Sequence, residues 1–548
     1  MPDQSTDSTQ HLRREAKALR QAFDRGDAAA VARVQAVLPG AEALRHADAL
    51  HVIAREAGHD SWPKLKFANE AAALVRAEKS ARLAAALFHG RAWAIEALLA
   101  DTPDLGRDSL ALACATYDLA EVRRRLAADP AAATRAEDGR RPIAVLAFSR
   151  YHQCGGAEAD MLAVADALLA AGADVNDSMP DEHGHGPLPV LYGAIGHGNN
   201  MALGEWLLDH GADPNDNESL YHATELGHRG GLRLLLAHGA RPEGTNALLR
   251  ALDFDDAEAV ALLLAAKAGA QPDEATSDHA AGSQSPGNPG DETPSSEQGN
   301  PVLSNTQSAP PSPSSPQPPL LTAALHHAAR RMCSAETVRL LLDHGADPSA
   351  VAFGHTAYAM ARIHGNAPVA QVIAEAGGDV TLSAAEAQLA RAADGPVAQG
   401  DWIDMDKLSR ESRRLLCRLA GRPGALPQIR RLVEMGFDPN VTDESRLPPL
   451  QLAGWEGLPE TFAYLLDQKP DLGHVNGFGG TVFGTILHGA ENCPDRASRD
   501  HLACMSQLLH HGAALPRQAL AQANDPALAA FLADWAERHP GQVVDDPT

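Results

Sequence analysis

Apolar residues recur along this chain at the spacing of short, paired helices. In residues 219–240, leucine and alanine stand three apart up to Leu226, the pattern breaks at Gly227, and a second apolar face begins at Leu232. This segment is therefore predicted to form a short helix, a turn and a second helix. Such pairs recur weakly in residues 81–128 and more clearly from about residue 163 onwards.

One phrase closes most of the second helices. Its copies are LLAAGADVN (168–176), LLDHGADPN (207–215), LLAHGARPE (235–243), LLDHGADPS (341–349), LVEMGFDPN (432–440) and LLHHGAALP (508–516). Glycine supplies the left-handed backbone that ends a helix at little cost. The Asp-Pro-Asn or Asp-Val-Asn that follows favours a tight turn, because Asx side chains and proline fix turn geometry. Each copy therefore predicts a helix end followed by a chain reversal.

These features resemble the ankyrin repeat, whose units carry a T-P-L-H-x-A motif, a helix pair and a G-A-D phrase at a period of about 33 residues. Residues 323–328 match the motif at Leu325 and His326, and further copies open at Thr356 and Pro448. The resemblance implies a mainly α fold. Its architecture would be an ankyrin-type α-solenoid of stacked helix-turn-helix units with β-hairpin-like turns.

Composition divides the chain into five segments. We predict a helical preface (1–80), a first block of repeats (81–270), a disordered linker rich in proline, serine and glycine (271–319), a second block of repeats (320–515), and a C-terminal helical cap and tail (516–548). The stretch between Gly377 and Gly436 is predicted to hide one degenerate unit. The linker is either a loop on one continuous stack or a hinge between two stacks. The first is favoured because the repeat pattern resumes on both sides.

The two ends of the chain are predicted to be helical as well. Helices are expected over residues 11–37 and 41–58, and another is expected after a cap at Ser61. Residues 47–66 resemble a helical preface found in front of bacterial ankyrin arrays, which implies a bacterial protein. Residues 516–539 are expected to form a helix that closes the stack.

Partner recognition is expected at turn tips and on the exposed face of the first helices, as the ankyrin resemblance implies. At the helix-to-helix turns the candidates are Glu225, Leu226, Arg330, Arg331, Ile363, His364, Trp455 and Glu456. At the turn tips they are Phe353, His355, Glu444, Arg446 and Phe478. The aromatic residues among them are favoured as anchors because aromatic side chains dominate interface energies, although each could instead pack on the next unit. Trp206 and Tyr464 are expected in the core.

The charge balance narrows the class of partner. Lysine and arginine number 46 and aspartate and glutamate 71, so the net charge is −25. An acidic surface repels nucleic-acid phosphates and anionic membranes, so neither is an expected partner. Six scattered cysteines without a C-x-x-C pair, a polar N-terminus and the lack of a long apolar run favour a cytoplasmic protein, with secretion without a leader left open.

No chemical motif points to catalysis or to a cofactor. The sequence has no H-E-x-x-H, no G-x-x-x-x-G-K-[ST] and no G-x-S-x-G. Most histidines occupy repeat positions, where structural hydrogen bonds are expected. His183 and His185 sit on an inserted turn, where a solvated loop is favoured over metal ligation. We therefore expect no catalytic residue, no metal and no cofactor.

The sequence thus predicts a protein-protein interaction scaffold that binds an unidentified partner protein through the concave face and turn tips, without catalysis. The alternative is a host-directed effector or toxin-associated protein whose repeats target or neutralise an enzyme. In that case the acidic charge suits a basic target and an association rate that falls with salt. The oligomeric state is left open, with a monomer expected.

Overall fold

The apolar positions of this chain are brought together in helix pairs. The computed structural model describes residues 4–180, 186–269, 318–398, 400–523 and 525–545. By internal contacts the chain divides into two compact units, Met1–Ala251 and Leu252–Thr548. Both units are mainly α-helical, and the strands within them are only two residues long.

The first unit runs from α1 to α15, with one hairpin. Its helices are α1 (Gln4–Asp24), α2 (Ala28–Val37), α3 (His46–Glu56), α4 (Trp62–Ala73), α5 (Arg76–His89), α6 (Ala92–Asp101), α7 (Leu110–Ala115), α8 (Leu119–Ala128), α9 (Pro142–Ala147), α10 (Glu158–Ala170), α11 (Val190–Tyr192), α12 (Met201–Asp209), α13 (Ser219–Ala223), α14 (Gly230–Ala237) and α15 (Ala247–Asp253), whose last residues fall in the second unit. Strands β1 (Ser178–Met179) and β2 (Leu188–Pro189) pair antiparallel.

The second unit runs from α16 to α30, with one hairpin and one parallel strand pair. Its helices are α16 (Ala257–Gly269), α17 (Leu320–Arg331), α18 (Ala335–Asp343), α19 (Ala357–His364), α20 (Ala367–Glu375), α21 (Ala384–Asp394), α22 (Arg410–Arg413), α23 (Leu415–Ala420), α24 (Leu426–Glu434), α25 (Pro449–Trp455), α26 (Pro459–Leu466), α27 (Val482–Asn492), α28 (His501–His510), α29 (Ala519–Gln522) and α30 (Pro526–Arg538). Strands β3 (Val351–Ala352) and β4 (His355–Thr356) form the hairpin, and β5 (Leu515–Pro516) pairs parallel with β6 (Val543–Val544).

The first four helices pack around a core of their own, in which α1 contacts α2, α3 and α4. The side chains buried there include Leu19, Val34, Val52 and Leu65. The single helix predicted over residues 11–37 is wrong, because Gly26 takes a left-handed φ of 74° and separates α1 from α2. Asp27 then caps α2 by accepting a hydrogen bond from Ala30 N. Ser61 does precede α4, but its side chain accepts no capping hydrogen bond.

Each later helix pair covers the apolar stripe of its neighbour. In the first unit α5 packs against α6 and α7, and α7 packs against α8 and α9. In the second unit α17 packs against α18 and α19, and α25 packs against α26 and α27. First helices therefore contact first helices, while second helices such as α18 and α20 contact each other. A single pair cannot bury its own stripe, so stability comes from contacts between neighbouring pairs.

The glycine of the repeated phrase behaves as predicted. Its φ is left-handed, between 87° and 101°, in all six copies, at Gly172, Gly211, Gly239, Gly345, Gly436 and Gly512. At Gly211 and Gly345 an added Cβ would meet nothing within 4 Å. The backbone angle, rather than a lack of space, therefore requires glycine at these two helix ends.

A pair of hydrogen bonds joins consecutive copies of the phrase in the first unit. Asn176 donates from Nδ2 to Gly211 O (3.1 Å) and accepts at Oδ1 from Asp213 N (2.7 Å). Asn215 makes the same two bonds to the next turn: its Nδ2 donates to Gly239 O (3.4 Å) and its Oδ1 accepts from Arg241 N (2.9 Å). The asparagine that ends the phrase thus satisfies backbone groups of the next turn, which would otherwise need water as a partner.

The stretch between Gly377 and Gly436, where the repeat is degenerate, contains α21 to α24. Helices α23 and α24 pack together, and α23 also packs against α25, as the first helix of a regular pair does. Helix α21 packs against both α19 and α24. The stretch therefore contributes one helix pair, one additional helix and the single turn α22.

Two aromatic residues expected in the core are half-buried instead. Trp206 donates from Nε1 to Asp166 Oδ1 (3.0 Å) and stacks on His210. The guanidinium carbon of Arg430 lies 4.2 Å from the ring centroid of Tyr464. Each ring keeps one side at the surface because a polar or charged partner is available there.

Several predictions about the ends and the linker have different outcomes. The helix predicted over residues 516–539 begins as strand β5, and its long helical part starts at Pro526. The predicted linker falls outside the described residues except for Pro318 and Pro319.

Among the described residues, no helix combines the length and apolar content needed to cross a bilayer.

We expect Asn215→Ala to lower the free energy of unfolding by about 1–2 kcal/mol, because it removes two hydrogen bonds that join neighbouring units. Urea-induced unfolding followed by circular dichroism measures this loss. Asn440→Ala is the matched control, since Asn440 ends the phrase in its own copy and its side chain forms no hydrogen bond to the described residues. A loss of equal size in both variants would contradict the assignment.

Candidate protein-binding surface

Two turns of the second unit are stabilised by the same pattern of hydrogen bonds from the backbone to an Asp or Asn side chain. Asp443 accepts hydrogen bonds at Oδ1 from Ser445 N (2.9 Å) and Leu447 N (2.8 Å). One unit later, Asn476 accepts at Oδ1 from Phe478 N (2.9 Å) and Gly480 N (3.0 Å). Asx side chains favour such turns because they bond the backbone two residues on. The two turns, residues 443–447 and 476–480, therefore project their middle residues in a fixed way.

These two turns lie side by side. The backbone N–H of Gly477 donates to Ser445 O at 2.7 Å, and His474 Nε2 lies 2.7 Å from Arg446 O. The tips of the two turns carry Arg446, which is exposed, and Phe478, whose exposed fraction is 44%. Two of the predicted contact residues are therefore neighbours on one surface.

Helix α22 fills the space between these turns and the β3–β4 hairpin. His355, at the base of the hairpin, lies 2.8 Å from Ser409 Oγ and 2.9 Å from Ser412 Oγ through Nε2. On its other side, the segment places Arg414 in an ion pair with Glu444. The row of hairpin, α22 and two turns is named the finger edge: residues 351–356, 409–414, 443–447 and 476–480.

Phe353 is the residue on the finger edge that folding explains least. It is 56% exposed, with one edge-to-face contact to the ring of His326 at 6.2 Å between centroids. It also has a φ of 55°, followed by 83° at Gly354, in a two-residue hairpin turn. Positive φ at both positions is the requirement of a type I′ turn, for which Asn-Gly is preferred. A phenylalanine there costs about 1 kcal/mol of backbone strain without burying its ring.

A network of ion pairs extends from the finger edge to the ends of the first helices. Arg330 at the end of α17 donates to Glu411 (3.1 Å), and Arg418 Nε lies 3.4 Å from the same carboxylate. Arg418 also reaches Glu444, at 3.3 Å, and Glu444 pairs with Arg414. Three guanidinium groups therefore share two carboxylates in a half-buried setting.

The network sets the charge of the groups within it. Burial raises the pKa of Glu411, but the nearby charges of Arg418 and Arg330 outweigh it and lower the pKa to about 2. Burial and Arg330 lower the pKa of His364 to about 3. At neutral pH the carboxylate is therefore ionised, whereas the histidine ring is neutral and adds no charge.

Trp455 and Glu456 end helix α25 and are half-buried. The Trp455 ring lies 5.2 Å from that of His488, and Trp455 O is 2.8 Å from His501 Nε2. Burial raises the pKa of Glu456, whose Oε2 accepts from Cys493 Sγ at 3.6 Å. These predicted residues lie at the opposite end of α25 from the turn that precedes it. They are therefore not part of the finger edge.

Three predicted contact residues are buried, so the expectation of exposed side chains is wrong for His355, Ile363 and His364. The physical reason is that the chain after α20 covers α19: helix α21 packs against it, and the segment from Arg422 to Gln428 reaches its C-terminal end. Gln428 donates to Ile363 O (2.8 Å) and Arg422 donates to His364 O (2.6 Å), so the end of α19 is capped by the following segment.

The remaining predicted contact residues either form ion pairs with neighbouring side chains or are half-buried. Arg331 pairs with Asp253 at 2.8 Å, within the second unit. In the first unit, Glu225 accepts from Arg250 Nε and lies 2.7 Å from His222 Nδ1, and Leu226 is half-buried.

The carboxylate of Glu386 lies 2.6 Å from His355 Nδ1, so a carboxylate, an imidazole and the Ser409 hydroxyl stand in line. This order is also that of nucleophilic enzymes. Here, however, Ser409 caps α22 by accepting from Ser412 N, and His355 is buried. Because the His355 ring is buried, its hydrogen bonds serve to hold α21 and α22 against the β3–β4 hairpin.

Two exposed arginines of the finger edge were missed by the sequence interpretation. Arg410 and Arg413 lie on α22 and are exposed. Their signal was the run S-R-E-S-R-R at residues 409–414, which concentrates arginine in an acidic chain. His183 and His185 lie outside the described residues; within those residues, no three histidine, cysteine or acidic side chains come together as metal ligands would.

Comparison with known proteins supports the repeat type. Residues 322–352 match the family model of the ankyrin repeat. The ankyrin repeat domain of human ASB11, known from a crystal structure, is 18% identical over a match that covers 38% of this chain and 81% of that chain, with a TM-score of 0.22. No curated protein matches the chain. With the stacked helix pairs and hairpin turns, the family match identifies a mainly α, ankyrin-type solenoid architecture.

We expect Phe353→Asn to raise the free energy of unfolding by about 0.5–1 kcal/mol, because asparagine tolerates the left-handed backbone of this turn. Phe353→Ala is the control, since alanine also removes the ring but lacks the polar side chain with which asparagine tolerates this backbone. Chemical denaturation of both variants separates backbone strain from the loss of the ring. A loss of stability in Phe353→Asn would show that the ring stabilises the fold.

We expect Glu411→Gln to lower the free energy of unfolding at pH 7 by about 3 kcal/mol, because it leaves buried guanidinium groups without their carboxylate. The folded-state pKa of Glu411 lies below that of an ordinary glutamate, so the ionised form stabilises the fold above pH about 4.5. This contribution falls as the pH drops towards 2. Unfolding measured from pH 7 to pH 2 should show a shallower decline in the variant; parallel curves would contradict the role of Glu411.

Proposed function

We propose that this chain is a protein-protein interaction scaffold that holds a partner protein on the finger edge of its second unit. Repeats of the ankyrin type are interaction modules, and the family match within residues 322–352 directly precedes Phe353. The observation that carries the proposal is Phe353 itself. Its ring is exposed on a strained backbone, and strain that the fold does not need is a sign of function.

The neighbouring groups support the same surface. Phe478 adds a second exposed aromatic ring, and aromatic side chains supply much of the binding energy in protein interfaces. The hairpin, α22 and the two turns are tied together by hydrogen bonds and ion pairs, so little flexibility is lost when a partner binds. Arg330, Arg331, Trp455 and Glu456 form a second, more enclosed group at the ends of the first helices, which we keep as part of the proposal.

The proposal involves no catalysis and no cofactor. The buried thiols fit this view, because burial raises the pKa of Cys333 and Cys417 to about 12 and leaves both as unreactive thiols. A cytoplasmic location and a bacterial origin complete the proposal. An effector or a toxin-neutralising protein would use the same surface, so identifying the partner separates that alternative from a general scaffold.

We also propose that the helix pair directly before residues 270–317 and the pair directly after them are neighbours in one stack. Helix α16 packs against α18, although the two lie on opposite sides of that segment. Asp255 accepts from Ser334 N at 3.0 Å, and Cys333 Sγ donates to Leu252 O at 3.1 Å. These contacts lie within the second unit and support the proposal for these two helix pairs.

We expect a double variant, Phe353→Asn with Phe478→Ala, to lose the partner that the intact protein retains in affinity capture from native lysate. The control is Val75→Ala with Leu502→Ala, which removes two exposed apolar side chains that are not among the residues of the finger edge. Circular dichroism confirms that both variants are folded. Retention of the same partner by the double variant would place the binding surface elsewhere.

A further inference from the structure

The charge of the finger edge is opposite to that of the chain. The whole sequence carries a net charge of −25. Arg410, Arg413 and Arg446 are nevertheless exposed on this edge, and none of them forms an ion pair with a described residue. The guanidinium group of Arg413 donates hydrogen bonds to two backbone carbonyl groups, Leu408 O (3.2 Å) and Asp406 O (3.1 Å). Among the described residues, their positive charges are therefore left without a carboxylate partner.

The groups around these arginines do not cancel the surplus. In the ion network, Arg330, Arg414 and Arg418 are balanced by Glu411, Glu444 and the buried Asp443, whose charge acts on Arg418, so the network leaves no surplus of negative charge. On the neighbouring loop, Lys407 already pairs with Asp404, so only Asp406 adds an unpaired acidic side chain there. The finger edge is thus locally positive within a strongly acidic protein.

Exposed guanidinium groups beside exposed aromatic rings favour one kind of binding partner. Arginine binds carboxylates through two parallel hydrogen bonds, and the rings offer contact to apolar side chains. From this geometry we infer that the finger edge binds an acidic segment of the partner protein. Its aspartate or glutamate side chains would face Arg410, Arg413 and Arg446, and an apolar side chain would lie against Phe353 or Phe478.

Two other classes of guest fit less well. A basic protein would be attracted by the net charge at long range but repelled where it touched the finger edge. A nucleic acid would be repelled by the net charge along its whole phosphate backbone. The inference rests on the proposed function, since it assigns a chemistry to the partner of that same surface. It also departs from the basic target that the acidic sequence suggests.

The test is a selection of random peptides displayed on phage against the intact protein and two triple variants. The edge variant is Arg410→Gln, Arg413→Gln and Arg446→Gln. The matched control is Arg241→Gln, Arg339→Gln and Arg496→Gln, which removes the same charge from exposed positions after α14, on α18 and before α28, none of them in an ion pair with a described residue. Selected peptides are then measured by fluorescence anisotropy at two salt concentrations, beside a labelled single-stranded RNA.

We expect the intact protein to enrich peptides that combine acidic with aromatic or aliphatic residues. Their affinity should fall about tenfold or more in the edge variant, stay within about twofold in the control, and weaken with salt. Should Arg413→Gln disturb α22, the double variant Arg410→Gln with Arg446→Gln, whose side chains form no hydrogen bond or ion pair with a described residue, carries the same expectation with a smaller loss.

Three outcomes would overturn the inference: enrichment of basic peptides, RNA binding that matches peptide binding, or no enrichment at all. The Phe353→Asn, Phe478→Ala variant separates its failure from that of the proposed function. If basic peptides are selected and that variant loses them, the surface stands and only its charge preference is wrong. If the selected peptides bind the aromatic variant and the edge variant as tightly as the intact protein, both proposals fail.

Discussion

A helix pair in this protein exposes an apolar stripe that only the next pair can cover, and the rest of the structure follows from that constraint. Residues that face a neighbour, such as Leu325, Met360 and Leu450, are buried and serve stability. Side chains free to meet another molecule are left at turn tips and at helix ends. The finger edge is where the second unit gathers such side chains, because α22 ties the hairpin to the two following turns.

The regular part of this architecture could be predicted from the sequence, because each feature has a local cause. The left-handed glycine at Gly345 and the turn that follows it depend on residues within a few positions of each other. The exposed tips Phe353, Arg446 and Phe478 were found for the same reason, since a turn tip is identified by the turn around it. Their use in binding stays a proposal.

The part that could not be predicted depends on contacts distant in sequence. His355, Ile363 and His364 were expected to be exposed, but the chain that follows α20 covers them. The hydrogen bond from Gln428 to Ile363 spans a separation that no local pattern reveals. The same part of the chain brings Arg410 and Arg413 to the surface between the β3–β4 hairpin and the turn at residues 443–447. An irregular repeat therefore both removed three predicted contact residues and added two that were missed.

The most direct test of the account is site-specific photo-crosslinking, with benzoylphenylalanine placed at Phe353, at Phe478 and, as a control, at Leu502. Irradiation in native lysate is followed by identification of the attached protein and of its crosslinked segment by mass spectrometry. We predict that Phe353 and Phe478 crosslink to the same segment of one protein and that Leu502 does not. Crosslinks from Leu502 alone, or equal labelling from all three positions, would contradict the finger edge as the binding surface.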